Sequence, residues 1–178
     1  MALTARDQRA FGESQREARV REMVTEHFDA VWRLLRRLGA PASSVDDAAQ
    51  QVFIVAARKI DEIESGGERR YLQGIAYRVA SEQRRATSRR REEGPIEDTA
   101  SESPLPDELV DRKRAREMLD RVLDAMPFEL RGVFVLFELD GLTVREIAEL
   151  LDLPLGTASS RLRRAREDFH SRVSEVRS

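Results

Sequence analysis

The 178-residue chain contains no cysteine, which excludes disulfides, thiol redox sensing and thiolate zinc sites. Its two histidines, His27 and His170, stand far apart with no neighbouring ligand at metal-binding spacing. Each is read as a surface or half-buried helical residue, and no metal is expected. No apolar run approaches the length of a membrane span, and the charged amino terminus lacks the apolar core of a signal peptide. A reduced, cytoplasmic protein with no membrane insertion is therefore expected. There is no phosphate-cradling glycine loop and no paired general acid and base, so the chain is not read as an enzyme and no cofactor is expected. Lysine is scarce as well: 29 of the 31 basic residues are arginine. A GC-rich genome produces that bias as readily as function does, so the placement of the arginines carries the argument and their number does not.

The net charge is −2 and the pI about 5.9, which argues against a general nucleic-acid binder. The distribution says otherwise. Arg84, Arg85, Arg89, Arg90 and Arg91 form one basic cluster, and Arg161, Arg163, Arg164 and Arg166 form another. Between them, Glu92 to Asp111 holds eight acidic residues and no basic one. Pro95, Pro104 and Pro106, half of the six prolines, sit there with Gly94, Thr99, Ser101 and Ser103. Such a composition buries too little apolar surface to order itself, which predicts a flexible acidic linker over 92–107. It divides the chain into a charged arm or frayed helix (1–19), an amino-terminal domain (20–91) and a carboxy-terminal domain (108–178).

Both domains read as all-α. Val24, Phe28, Val31, Leu35 and Leu38 recur near period 3.6, and Gly39-Ala40-Pro41 closes that helix. Ser43 or Ser44 is expected to cap the next, with Asp46 and Asp47 in its first turn and Ala49, Val52, Phe53, Ala56 and Ile60 inward. Ser65-Gly66-Gly67 breaks the chain before a third helix that buries Leu72, Ile75, Ala76 and Val79, completing a small bundle. Beyond the linker, Leu109, Ala115, Met118, Leu119, Val122 and Ala125 form one stripe, and Leu130, Val133, Phe134, Leu136 and Phe137 a second. Pro127 suits the first turn of that second helix. The apolar run Val133 to Leu139 reads either as core or as a docking patch.

The densest signal lies at 141–166. Thr143 with Glu146 three residues later makes a capping box, and Ile147, Ala148, Leu150 and Leu151 supply an apolar stripe. Asp152-Leu153-Pro154 ends the helix. A second helix starts near Leu155 to Thr157 and buries Ala158, Leu162 and Ala165. It turns Ser159, Ser160, Arg161, Arg163, Arg164 and Arg166 elsewhere. That is the pattern of a helix-turn-helix, whose second helix sends its early side chains to base edges while flanking cations hold phosphates. Thr143, Arg145, Thr157, Ser159, Ser160, Arg161, Arg163 and Arg164 are the candidate duplex contacts.

On these residues, Met126 to Arg166 resembles region 4 of bacterial sigma factors, nearest the extracytoplasmic-function group. The resemblance implies binding to the −35 promoter element and docking on the flap of the polymerase β subunit. Asp152 stands where the family often has glycine, and Ala158 where it often has valine. The amino-terminal half resembles region 2. Asp47-Ala48-Ala49-Gln50-Gln51-Val52-Phe53 is similar to the segment that docks on the β′ clamp helices, with Gln51 in place of a usual acid. Asp47, Gln50, Gln51 and Phe53 are the docking candidates. Tyr71 to Arg85 is similar to the helix that melts and holds the −10 element, although the family often has tryptophan near Tyr71 and asparagine near Arg78. The resemblance implies a cationic groove of Arg69, Arg70, Arg78, Arg84 and Arg85 with Tyr71 and Tyr77 as aromatic faces, and a loop Glu62 to Gly67 that holds a flipped base. A tyrosine on such a helix is also read as a core residue with its hydroxyl at the edge.

The implied partners are core RNA polymerase, promoter DNA and an anti-sigma factor of the kind that commonly holds this family inactive. The linker is read either as a passive tether or as a segment that threads towards the polymerase active centre. Two other readings of the same residues differ in what they bind. A conventional helix-turn-helix regulator binds duplex DNA unaided, and a helical adaptor binds polymerase without DNA.

Overall fold

The computed structural model describes residues 5–93 and 107–177, with side chains over 12–87, 89 and 114–176. Among these residues there are helices and turns and no strand. The first helix, α1 (Ala5–Arg37), is longer than the periodicity predicts. Residues 5–19, expected as an arm or frayed helix, continue it without a break, and two arginines explain why. Arg16 donates to the carbonyl of Ala57 at 3.1 Å, and Arg19 donates to Ile60 O at 2.9 Å and to Glu68 Oε1 at 2.9 Å. Cations here satisfy carbonyls left over at a helix end, tying the start of α1 to the next two elements. The helix closes as expected. Gly39 takes φ +96°, and the bonds Gly39 N→Arg36 O and Ala40 N→Leu35 O, both 2.9 Å, form a Schellman end.

In α2 (Val45–Arg58) the N-cap residue is Ser44, but its hydroxyl makes no capping bond. The end is held instead by its acids, with Asp46 accepting from Trp32 Nε1 at 2.9 Å. A 3₁₀ turn, Ile60–Glu62, leads to α3 (Glu68–Glu93). The residues expected inward on α2 and α3, from Ala49 to Val79, are all buried, together with Met23, Leu34 and Leu35 of α1. Phe28 departs from its predicted stripe: it is 38% exposed and stacks on Phe53 at 6.1 Å.

The Arg19–Glu68 contact gives a pH prediction. The Arg19 hydrogen bond, against a smaller desolvation cost, holds the Glu68 carboxyl below the usual range. A carboxylate with a depressed folded-state pKa stabilises above its unfolded pKa, and that contribution is lost as pH falls through the folded value. Glu68→Gln is therefore expected to lower stability by about 1 kcal/mol at pH 7. Urea unfolding should show the gap closing below about pH 4, and a gap that persists at pH 3 would contradict the assignment.

The carboxy-terminal helices are α4 (Asp107–Ala125), α5 (Phe128–Phe134), α6 (Val144–Leu150) and α7 (Leu155–Arg177). Pro127 sits at the N-cap of α5, one residue before its expected place. Its carbonyl accepts from Leu130 N and Arg131 N. α5 runs directly into a π-helical turn, Val135–Leu139, closed by Asp140 N→Val135 O at 3.0 Å. Val133 to Leu136 are buried, so this part of the apolar run is core. The stripe on α4 is shifted from the one predicted: Val122, Leu123 and Met126 are buried, Ala115 and Ala125 are exposed, and the Leu109 side chain lies outside the described residues.

α1, α2 and α3 pack on one another, and α7 packs on α4, α5 and α6. The two bundles also touch, and their cores form one continuous apolar cluster. α3 runs through Glu93 and α4 starts at Asp107, so residues 92, 93 and 107 of the expected linker are helical. Residues 94–106 lie outside the described residues, as do the side chains of Arg90 and Arg91. Among the described residues no helix is long and apolar enough to cross a membrane.

Candidate nucleic-acid interface

The helix-turn-helix forms by the local chemistry the sequence specifies. Thr143 Oγ1 accepts from Glu146 N at 3.3 Å, and Thr143 N donates to Glu146 Oε2 at 2.8 Å, a complete capping box. The bonds that the Thr143 backbone N–H and hydroxyl donate to Glu146 Oε2 hold that carboxyl below its usual range. α6 ends where Asp152 enters the left-handed region at φ +53°, a conformation that aspartate adopts more readily than most residues. Leu153 N then donates to Ala148 O at 2.8 Å, and Pro154 O accepts from Thr157 N and Ala158 N to start α7. Ala158, Leu162 and Ala165 are buried as predicted.

The outward residues of α7 are not equivalent. Ser159, Arg163 and Arg164 are exposed, whereas Thr157, Ser160 and Arg161 are half-buried. Ser160 Oγ donates to Thr157 O at 3.0 Å. Arg163 pairs with Glu167 at 2.8 Å, one turn on, and Arg145 with Glu149 at 3.5 Å. Exposed pairs of this kind are worth a few tenths of a kcal/mol to about 1 kcal/mol and yield readily to a phosphate. Arg164 pairs with no acid among the described residues. Arg166 is committed elsewhere, to Glu138 at 2.7 Å and the face of Phe137 at 5.0 Å. The Thr143 hydroxyl is likewise occupied, donating to Glu146 Oε2 at 2.7 Å.

The second candidate surface, on α3, is arranged differently from the expected open groove. Arg69, Arg70, Arg78, Arg84 and Arg85 are exposed, and of these Arg69, Arg70 and Arg84 also reach the carboxy-terminal bundle, as does half-buried Tyr77. Arg69 donates to Asp140 O at 3.3 Å. Arg70 pairs with Glu149 at 2.6 Å and Glu146 at 3.4 Å. The Tyr77 ring lies 5.2 Å from that of Phe128, and the Arg84 guanidinium sits over the same ring at 5.3 Å. Burial pushes the Tyr77 hydroxyl pKa up, with the nearby charge of Glu129 adding to it. Tyr71 packs half-buried against the core of its own bundle. The loop Glu62 to Gly67 is pinned by Gly66 N→Glu68 Oε2 at 2.7 Å. It borders a groove shared with Arg19, Met23, His27 and Arg69.

On α2, Asp47, Gln50 and Gln51 share an exposed face. Phe53 does not belong with them. It is 7% exposed and part of the core, because it stands four residues after Ala49 and three before Ala56 on the buried face of the helix. Ile54, 41% exposed, continues the outer face instead. Its spacing of four from Gln50 and three from Gln51 was the signal available in the sequence.

Comparison with known proteins agrees with this geometry. Residues 23–90 match the family Sigma-70 region 2, and residues 116–169 match Sigma-70, region 4. The ECF RNA polymerase sigma-E factor of Escherichia coli strain K12 is 31% identical over 165 residues, covering 86% of this chain and 86% of that protein. The ECF RNA polymerase sigma factor SigE of Mycolicibacterium smegmatis is 30% identical over 157 residues, covering 86% of this chain; the chain spans 61% of that relative's length. Among solved structures, the sigma factor RpoE of Bartonella quintana, in complex with the anti-sigma factor NepR, superposes with a TM-score of 0.69 at 19% identity, over 86% of this chain and 96% of that one. CnrH in complex with the cytosolic domain of CnrY superposes with a TM-score of 0.63 at 22% identity, over 94% and 90%. The chain belongs to the sigma-70 family of RNA polymerase sigma factors, in its extracytoplasmic-function group.

Proposed function

We propose that this chain brings core RNA polymerase to a defined set of promoters and helps open them. In this reading α7 enters the major groove of the −35 element through Ser159, Arg161, Arg163 and Arg164, with Thr143, Arg145, Thr157 and Ser160 at its edges. The α3 cations, with Tyr77 and Tyr71, hold the unstacked −10 strand. Asp47, Gln50 and Gln51, extended by Ile54, dock on the clamp of the β′ subunit, and the carboxy-terminal bundle docks on the β flap. Residues 20–91 and 108–178 act as the two functional units, with 92–107 spanning the promoter spacer. An anti-sigma factor, the partner of the Bartonella quintana neighbour, is the expected inhibitor. The protein works in the cytoplasm and makes or breaks no bond.

The observation that carries this reading is the outward face of α7. Ser159, Arg163 and Arg164 stand exposed on a helix whose entry turn is set by Asp152 and by the Pro154 carbonyl that accepts from Thr157 N and Ala158 N. Run-off transcription with purified core polymerase and a genomic promoter pool tests it. Specific transcripts that require the added chain are expected. Tight, sequence-specific duplex binding by the free chain without any transcript would point to a conventional regulator, and polymerase binding without promoter selection to an adaptor.

A further inference from the structure

The first residue of α7 is a leucine that the fold does not use. Helical spacing puts Leu155 three residues before Ala158 and seven before Leu162, both buried, yet the bundle does not cover it. At 55% exposure it is the most exposed large hydrophobic side chain among the described residues. It belongs neither to the core nor to the half-buried side chains packed against the core. Phe28, also exposed, at least stacks on Phe53. Leu155 stands instead at the end of the helix that leads into a DNA groove, one turn ahead of exposed Ser159. A Cα–Cβ bond tilts towards the start of its helix, so a side chain at this position precedes the helix into the groove.

Two features of the same turn point outward as well. Gly156 follows the leucine, and a Cβ there would meet nothing within 4 Å. Its φ is not in the left-handed region. Neither packing nor backbone geometry asks for glycine at this position, although glycine is the poorest helix former after proline. Its bare backbone lets an outside surface come close, which brings the neighbouring leucine down to the floor of a groove. The turn also carries no acid, although a helix start favours one, and so does not repel phosphates. Resting on the sigma-factor reading above, we propose that Leu155 is a specificity-determining residue for the −35 element, packing on the C5 methyl of a thymine in the major groove. That methyl distinguishes thymine in the major groove, where the other base-edge groups are hydrogen-bond donors and acceptors. Serine and arginine on α7 read the polar edges; the leucine adds the one contact they cannot make.

The −35 element of a promoter recovered by run-off transcription supplies the probe. Each of its thymines, on either strand, is replaced in turn by deoxyuridine, which keeps the pairing and every hydrogen-bonding group and removes only the methyl. Binding of the holoenzyme carrying the full chain is then measured. One replacement is expected to weaken binding by about fourfold, the worth of one buried methyl-sized group, while deoxyuridine in the spacer changes nothing. Leu155→Ala is expected to bind the thymine duplex about four- to tenfold more weakly and to bind both duplexes alike, within about twofold. Leu155→Met, close in volume, should keep the methyl preference. Circular dichroism should show the same helicity in both variants, because the side chain lies outside the core. A −35 element without an A·T pair, a holoenzyme indifferent to every methyl, or a Leu155→Ala chain that keeps the parent's methyl dependence would overturn the proposal. So would weaker binding of the Leu155→Ala chain to core polymerase alone, which would assign the leucine to a protein contact. If the parent holoenzyme does not distinguish the −35 element from a scrambled duplex, the reading of function itself fails, and this proposal with it.

Discussion

Alanine at Arg161 and Arg164 together is expected to abolish most −35 recognition while leaving the fold intact. A guanidinium paired with a base edge contributes about 1–3 kcal/mol of discrimination, so losing two should weaken specific promoter binding by roughly thirtyfold to twenty-thousandfold. Alanine is the best helix former, and neither arginine lies in the core, so α7 should persist. The measurement is holoenzyme binding to a promoter duplex and to the same duplex with its −35 element scrambled. The parent protein should distinguish them and the double variant should not. If discrimination survives, the outward face of α7 is not the reading surface, and the assignment of Ser159 and Arg163 falls with it.

The second large effect is on stability. Leu136 is fully buried in the π-helical turn, and its carbonyl accepts from Leu142 N at 3.0 Å. It therefore anchors both the end of α5 and the entry to the helix-turn-helix. Leu136→Ala should cost roughly 2–5 kcal/mol, the transfer term plus a cavity that close-packed neighbours fill only in part. Against a typical total of about 5–15 kcal/mol, that places the variant near unfolding at 37 °C. Urea denaturation followed by circular dichroism should show a lower midpoint with an unchanged slope. A loss under about 1 kcal/mol would mean that the site collapses around the smaller side chain.

Much of this was legible before any coordinates, for identifiable reasons. The capping box, the left-handed aspartate and the burial of Ala158, Leu162 and Ala165 depend on residues within a few positions of one another. Local hydrogen bonding and helical periodicity settle such features. Misreadings occurred where a distant partner intervened. Residues 5–19 read as an arm or a frayed helix because nothing in their own pattern reveals that Arg16 and Arg19 would find carbonyls some 41 residues away. Phe53 was grouped with its docking neighbours by motif, although its position on the helix turns it into the core.

The amino-acid sequence by itself determined the helices, the helix-turn-helix and the membership of the sigma-70 family, because all three rest on short-range spacing and chemistry. Only the tertiary structure decided what the candidate surface on α3 meets. Arg70 and Arg84 read as part of a DNA-facing groove, and Tyr77 either as its aromatic face or as core, until the carboxy-terminal bundle is placed against them. Whether a semi-polar helix face meets water, DNA or another part of the same chain depends on long-range charge pairing and close approach at Gly132. Neither is encoded in local periodicity.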